Sequence, residues 1–172
     1  MLIVTAGLPA SGKSTIAEIV GNRLSIPVLS VDPIEAAILD AGIDSDQPTG
    51  LAAYLVAERL AQAQLGMGHS VIIDAVNAVE PAREQWVRLA TEQGTPIRFL
   101  EVVCSDPDVH RERLRARRLA APHSQAAHHA VEQSLDEWEP WTGPTGGVPR
   151  VTLDSMLPLG VNVDQAVAFL ES

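Results

Sequence analysis

Lys13 is the only lysine in 172 residues, and it lies in Gly7-Leu8-Pro9-Ala10-Ser11-Gly12-Lys13-Ser14-Thr15. A glycine, four residues and then Gly-Lys-Ser is the spacing of a loop that wraps phosphate groups. Gly7 and Gly12 let the chain turn tightly enough for the peptide groups around Pro9, Ala10 and Ser11 to close on phosphate oxygens. A helix opening at Lys13, Ser14 and Thr15 adds the partial positive charge of its free amides. Lys13 would bring a point charge to the β- and γ-phosphates, and the Ser14 hydroxyl would meet magnesium. This stretch predicts binding of a nucleoside triphosphate.

Further candidates stand at the ends of apolar runs. Asp74 closes Val71-Ile72-Ile73-Asp74, a place where a carboxylate can serve magnesium or a substrate, or simply cap a turn. Asp32 follows Val28-Leu29-Ser30-Val31 and precedes Pro33 and Glu35. Aspartate, then proline, then glutamate is a helix-start pattern with Asp32 as N-cap. The same carboxylate could act as general base toward an attacking hydroxyl. Asn77 could hydrogen-bond a substrate or form a turn. Arg83 shares the spacing of Trp86, Val87 and Ala90 on one helix face, so it could aim at the strand-end cleft or lay its stem on the sheet.

Arginine crowds one segment, His110-Arg111-Glu112-Arg113-Leu114-Arg115-Ala116-Arg117-Arg118. Arg113 and Arg117 are one turn apart, and Arg111, Arg115 and Arg118 share another face. Such a run is either a solvated helix face or a lid whose arginines neutralise charge on a transferring phosphate. Arg113 and Arg117 are the first choices for phosphate contact, with the lid over about 117–130. The other histidines lack metal-ligand spacing. Trp138 and Trp141 read as packing, and Cys104 as a core residue on a strand.

The elements that must position these groups alternate strand and helix, which predicts an α/β fold with a mainly parallel sheet. Strands are expected at about 2–6, 27–31, 70–74, 97–103 and 150–153. Helices are expected at about 13–24, 33–40, 50–66, 81–93, 106–120, 124–138 and 162–171. Residues 42–49 read as a polar loop. The chain is read as a single domain, 1–172. In open sheets of this kind ligands bind at the carboxyl ends of the strands, where the candidates above fall.

Composition narrows the function. A formal net charge of −10, without a basic or aromatic track, argues against a nucleic-acid substrate. No apolar run approaches the length of about 18 residues that a membrane span needs. The opening residues lack a basic segment, so no signal peptide is expected. A lone cysteine fits a reducing cytoplasm. Cytoplasmic location and a monomer or homodimer are expected.

With these pieces in place, the chain resembles the small P-loop kinases of the group that includes chloramphenicol phosphotransferase, polynucleotide 5′-hydroxyl kinases and zeta-toxin-like kinases. Gly7 to Thr15, Val31-Asp32, and Ile73-Asp74-Ala75-Val76-Asn77 followed by Arg83 carry the resemblance, with the arginine helix a looser fourth element. It implies a three-layer P-loop fold with a five-stranded parallel sheet in 2-3-1-4-5 order and a short helical lid. It further implies ATP and Mg²⁺ as cofactors, with Gly7, Pro9 to Thr15, Arg113 and Arg117 around the nucleotide. Ser14 and Asp74 would serve the metal, with Asp32, Lys13 and Arg117 catalytic and Asp32, Asp74, Asn77 and Arg83 around the acceptor. Asn77 stands three residues after Asp74, where polynucleotide kinases place the asparagine two after. The leading activity is transfer of the γ-phosphate to a hydroxyl of a small molecule (antibiotic, nucleoside or sugar-like). A polynucleotide or nucleotide kinase and a nucleotide-switched binding module are the alternatives. Against the module, Asp74 is followed by Ala75, not by the second carboxylate with which motor ATPases activate water.

Overall fold

The computed structural model describes residues 1–120 and 138–172. Five strands form one parallel sheet: β1 Leu2–Ala6, β2 Val28–Ser30, β3 Val71–Asp74, β4 Ile97–Val103 and β5 Arg150–Asp154. Their spatial order is β2-β3-β1-β4-β5, as expected. Six helices are described: α1 Lys13–Leu24, α2 Val31–Asp40, α3 Thr49–Gly66, α4 Glu80–Glu92, α5 Pro107–Ala120 and α6 Leu159–Glu171.

The layers follow from which faces are apolar. β1 is buried along its whole length, because it lies at the centre with helices on both sides. One face packs Ile3, Ile72, Leu100 and Leu153 against Ile16, Val20, Val163 and Leu170 of α1 and α6. The other packs Leu2, Val4, Ile73 and Phe99 against Ala53, Ala57, Trp86 and Leu89 of α3 and α4. Alanines at 53, 57 and 61, each fully buried, repeat every four residues and set α3 close to the sheet. A second layer of helix on each face is thus fixed by period and by side-chain size.

The register brings candidate residues together. Ser30 at the end of β2 pairs with Asp74 at the end of β3, and β1 lies on the other side of β3. The loops after β1, β2 and β3 therefore leave the sheet side by side. The lid expected over 117–130 and the helix expected over 124–138 fall mostly on residues 121–137, outside the described residues.

One boundary differs in a way that bears on the site. α2 begins at Val31, with Ser30 in the cap position and no side-chain cap bond, so Asp32 is not the N-cap. Ser30 gives its hydroxyl to Asp74 instead. Asp32 and Pro33 stand inside the first turn, where an anion is favoured and a missing amide costs nothing. Glu35 does not close a capping box; it accepts the Thr49 hydroxyl at 2.8 Å.

Candidate functional site

The loop after β1 is shaped by close approach and by left-handed backbone. At Gly7 a Cβ would stand 2.3 Å from the Val102 carbonyl oxygen, so no larger residue fits. Gly12 has φ 101, and Ala10 also enters the left-handed region with φ 63. An alanine there carries a local conformational cost of about 1–2 kcal/mol, which the surroundings must offset. The Ser11 amide closes the turn on the Leu8 carbonyl at 3.1 Å.

Lys13 is buried, 3 % exposed. Burial lowers its pKa below the ordinary lysine value; Asp74 and then Asp32 oppose that shift, and Arg117 adds to it. The only ammonium side chain in the protein thus lies within electrostatic reach of both strand-end aspartates. Beside it opens a cavity of about 430 Å³ lined by Ala10, Gly12, Lys13, Ser14, Thr15 and Ile16, by Arg113 and Arg117, and by Ser155, Leu157, Leu159 and Asn162. The phosphate loop, the arginine helix, the turn after β5 and the start of α6 thus share its wall.

Asp74 is 6 % exposed and both of its oxygens are held. Thr5 donates to Oδ1 at 3.2 Å and Ser30 to Oδ2 at 3.1 Å. Two hydroxyls from the neighbouring strands therefore fix the carboxylate plane. Asp32 is exposed and meets Arg117 at 2.5 Å. An exposed ion pair of this kind contributes at most about 1 kcal/mol to stability. Its consequence is positional, since it ties the arginine helix to the first turn of α2.

Arg113 donates to the Ser155 hydroxyl at 2.7 Å and to the Ser155 carbonyl at 3.3 Å. His110 reaches the Pro9 carbonyl at 2.8 Å, and Leu114 is buried. Residues 110, 113, 114 and 117 follow the i, i+3, i+4, i+7 spacing of one helix face. That face touches the loop after β1, the turn after β5 and the first turn of α2. The opposite stripe does not: Arg111 pairs with Asp108 in the same helix and Arg115 is exposed.

Asn77 and Arg83 stand elsewhere than expected, and both expectations of substrate contact are corrected by burial. Asn77 has no exposed surface. Its amide donates to the Thr5 carbonyl at 2.7 Å and its oxygen accepts from the Trp86 indole at 2.9 Å. Its positive φ of 49° marks a turn, a conformation that asparagine tolerates. Arg83 is likewise 0 % exposed. It donates to the carbonyls of Asn77, Ala78, Glu139 and Pro140. Its guanidinium lies 4.9 Å from the Trp138 ring centre and 4.2 Å from that of Trp141. Burial lowers its pKa, with Glu80, Glu101 and Glu139 opposing. Arg83 pins the 138–141 segment to the protein and is spent in doing so.

Sequence reasoning passed over Thr5 and Ser30, hydroxyls that look ordinary until the strands are paired. It passed over His110 too, although that residue lies three before Arg113 and seven before Arg117, on the same stripe. Cys104, expected on a strand, lies one residue past β4, 3.7 Å from Arg113.

A sequence profile of the AAA domain family matches residues 2–141. The chain belongs to this AAA domain family. An uncharacterized protein of Mycobacterium tuberculosis is 34 % identical over 128 residues, covering 67 % of this AAA-domain chain and 25 % of the relative. Mouse 6-phosphofructo-2-kinase/fructose-2,6-bisphosphatase 1 is 25 % identical over 136 residues, with 70 % and 29 % covered. The chain therefore spans only about a quarter of the length of the curated relatives it matches. Among solved structures, a candidate kinase from Chloroflexus aurantiacus superposes with a TM-score of 0.78 at 24 % identity, over 99 % of this chain and 95 % of that one. Chaetomium thermophilum Kti12, solved with ADP-AlF3, gives 0.77 at 22 % over 99 % and 97 %. A gluconokinase from Sinorhizobium meliloti gives 0.67 at 21 % over 98 % and 90 %. The AAA domain thus has the fold of the P-loop kinases, as the resemblance implied. No helix among the described residues is long and apolar enough to cross a membrane.

Proposed function

We propose that this AAA domain is an ATP-dependent phosphotransferase that moves the γ-phosphoryl group to a hydroxyl of a small molecule. One observation carries the reading: Asp32 is held by Arg117, which lines the same cavity as the buried Lys13 of a phosphate loop. A loop and lysine alone describe binding; an added carboxylate free to take a proton describes transfer.

The nucleotide lies along the 430 Å³ cavity, its base toward Leu157 and Leu159 and its phosphates on the amides of residues 10–14. Lys13 meets the β- and γ-phosphates. Arg113 and Arg117 face the transferring group, where a fixed cation gains more as charge spreads over the phosphoryl oxygens. Asp32 takes the proton of the acceptor hydroxyl as that oxygen attacks. Being exposed, it exchanges its pairing with Arg117 for the acceptor at little cost.

The donors present suit Mg²⁺, a hard cation that takes one or two protein oxygens and otherwise water and phosphate. Ser14 lines the cavity, and Asp74 is a buried carboxylate oriented by Thr5 and Ser30. Ser14 and Asp74 would hold the ion, which would supply neutralisation of phosphate charge.

The gluconokinase likeness and the 6-phosphofructo-2-kinase match support a sugar-like acceptor, consistent with a net charge of −10 that repels polynucleotides. A soluble, cytoplasmic enzyme is proposed on the same grounds. ADP release measured against a panel of sugars, nucleosides and hydroxylated antibiotics tests the reading, with Lys13→Ala as the blank. Acceptor-dependent release above the blank is expected. Release that no member of the panel accelerates, even with a protein partner supplied, would sink the transferase reading.

A further inference from the structure

We propose that His110 is a positioning residue of the phosphate loop, holding the Pro9 carbonyl outward so that the Ala10 amide faces the nucleotide. The proposal rests on the nucleotide-binding reading above and concerns how the loop is kept in its binding shape.

The geometry begins with a single peptide plane. The described chain has no cis peptide bond, so the Pro9 carbonyl and the Ala10 N–H point in opposite directions. His110 Nε2 meets that carbonyl at 2.8 Å. The two ends of the peptide also belong to different spaces. Ala10 lines the 430 Å³ nucleotide cavity, whereas His110 lines a second cavity of about 240 Å³ with Gly7, Ser11, Cys104 and Trp138. A hydrogen bond from the second side therefore turns an N–H toward the first. Among the described residues the Ala10 amide makes no backbone hydrogen bond, which leaves it for a ligand.

The plane needs such a hold. Ala10 is in the left-handed region at φ 63, which an L-residue with a Cβ adopts only under constraint. Turning the Pro9–Ala10 peptide over would relieve it and would aim a carbonyl oxygen at the phosphates. Ser11 closes the turn on the Leu8 carbonyl through its amide, but its buried hydroxyl finds no partner among the described residues, so the hold on the Pro9 carbonyl itself comes from His110. Its place in the first turn of α5 also couples the loop to Arg113 and Arg117 on the same helix face.

The test compares ADP binding, measured by titration calorimetry on the whole chain, for wild type, His110→Leu and His110→Gln. Leucine keeps much of the ring's volume without a donor, while the glutamine amide nitrogen reaches about as far as Nε2. The expected result is about tenfold weaker ADP binding for leucine, the size of one hydrogen bond lost, and recovery to within about twofold for glutamine. Should the leucine protein not fold, His110→Asn, whose amide stops short of Pro9, replaces it. Leucine binding ADP like wild type would overturn the proposal, and so would glutamine no better than leucine. Wild type failing to bind ADP would overturn the nucleotide reading first, and this one with it.

Discussion

Arg83 and Arg117 invite the same expectation, since each lies on a helix face that points toward the strand-end cleft, yet they meet opposite environments. Arg83 is fully buried, gives its donors to four backbone carbonyls and stacks on two indoles. Arg117 is 42 % exposed at its side chain and, among the described residues, touches a single carboxylate. The difference lies in what arrives from elsewhere in the chain. Residues 138–141 cover Arg83 and need its donors, because carbonyls shut away from water must be paired. Nothing described covers Arg117, so its charge stays available. A guanidinium that satisfies backbone is architecture; one that holds an exposed acid is equipment.

That contrast can be broken first at its structural end. Arg83→Leu leaves the carbonyls of Asn77, Glu139 and Pro140 without a donor, while Ala78 keeps the Glu139 amide, and it removes two cation–π contacts, so stability should fall by about 3–5 kcal/mol. Urea denaturation followed by circular dichroism measures it. Arg117→Ala in the same assay should change stability by less than about 1 kcal/mol. Comparable losses for the two would erase the distinction.

At the functional end the order reverses. Arg117→Ala should lower kcat by about a hundredfold, with ADP affinity moving far less. A kcat near wild type would mean that the pairing with Asp32 is only a surface contact.

Ser30→Ala sharpens the comparison by touching a group that belongs to both ends. It takes one of two hydroxyls from Asp74 and should lower kcat about tenfold, with a fold as stable as wild type to within about 1 kcal/mol. Unchanged kcat would show that Thr5 alone orients the carboxylate.

The smallest effect is a titration beneath the site. Burial pushes the Tyr54 hydroxyl up to about 12, with the Asn77 amide it accepts opposing and Asp32, Asp74 and Glu35 adding. A folded-state pKa raised above the unfolded value of about 10 favours the folded form below pH 10, and that stabilisation is lost as pH rises from about 10 to 12. Tyr54→Phe should flatten the fall in stability over that window, read from denaturation midpoints at each pH. An identical slope would place the phenol in water.

Most of the frame was legible because its signals are local. The order of strands came with the resemblance to the small P-loop kinases, whereas Lys13 in its glycine spacing and β1 as a short apolar run follow from sequence neighbours. Asp74 and Asp32 could be placed at strand ends for the same reason. What was not legible depends on partners far along the chain. Ser30 pairs with Asp74 across the β2–β3 register, and it thereby forgoes a capping role. Arg83 and Asn77 are withdrawn by Glu139, Pro140 and Trp86, which no spacing around residue 80 announces. Helical period put Arg83 on the right face, but period says nothing of what its head will meet.

The central claim is that Asp32 turns a nucleotide-binding loop into a site of transfer. It is tested most directly by following label from γ-labelled ATP onto an accepted hydroxyl compound in wild type and in Asp32→Asn. The account predicts labelled acceptor from wild type, at least about a hundredfold less from the variant, and ADP affinity within about twofold between them. Equal transfer by both proteins, or label that leaves only as inorganic phosphate whatever acceptor is present, would contradict it.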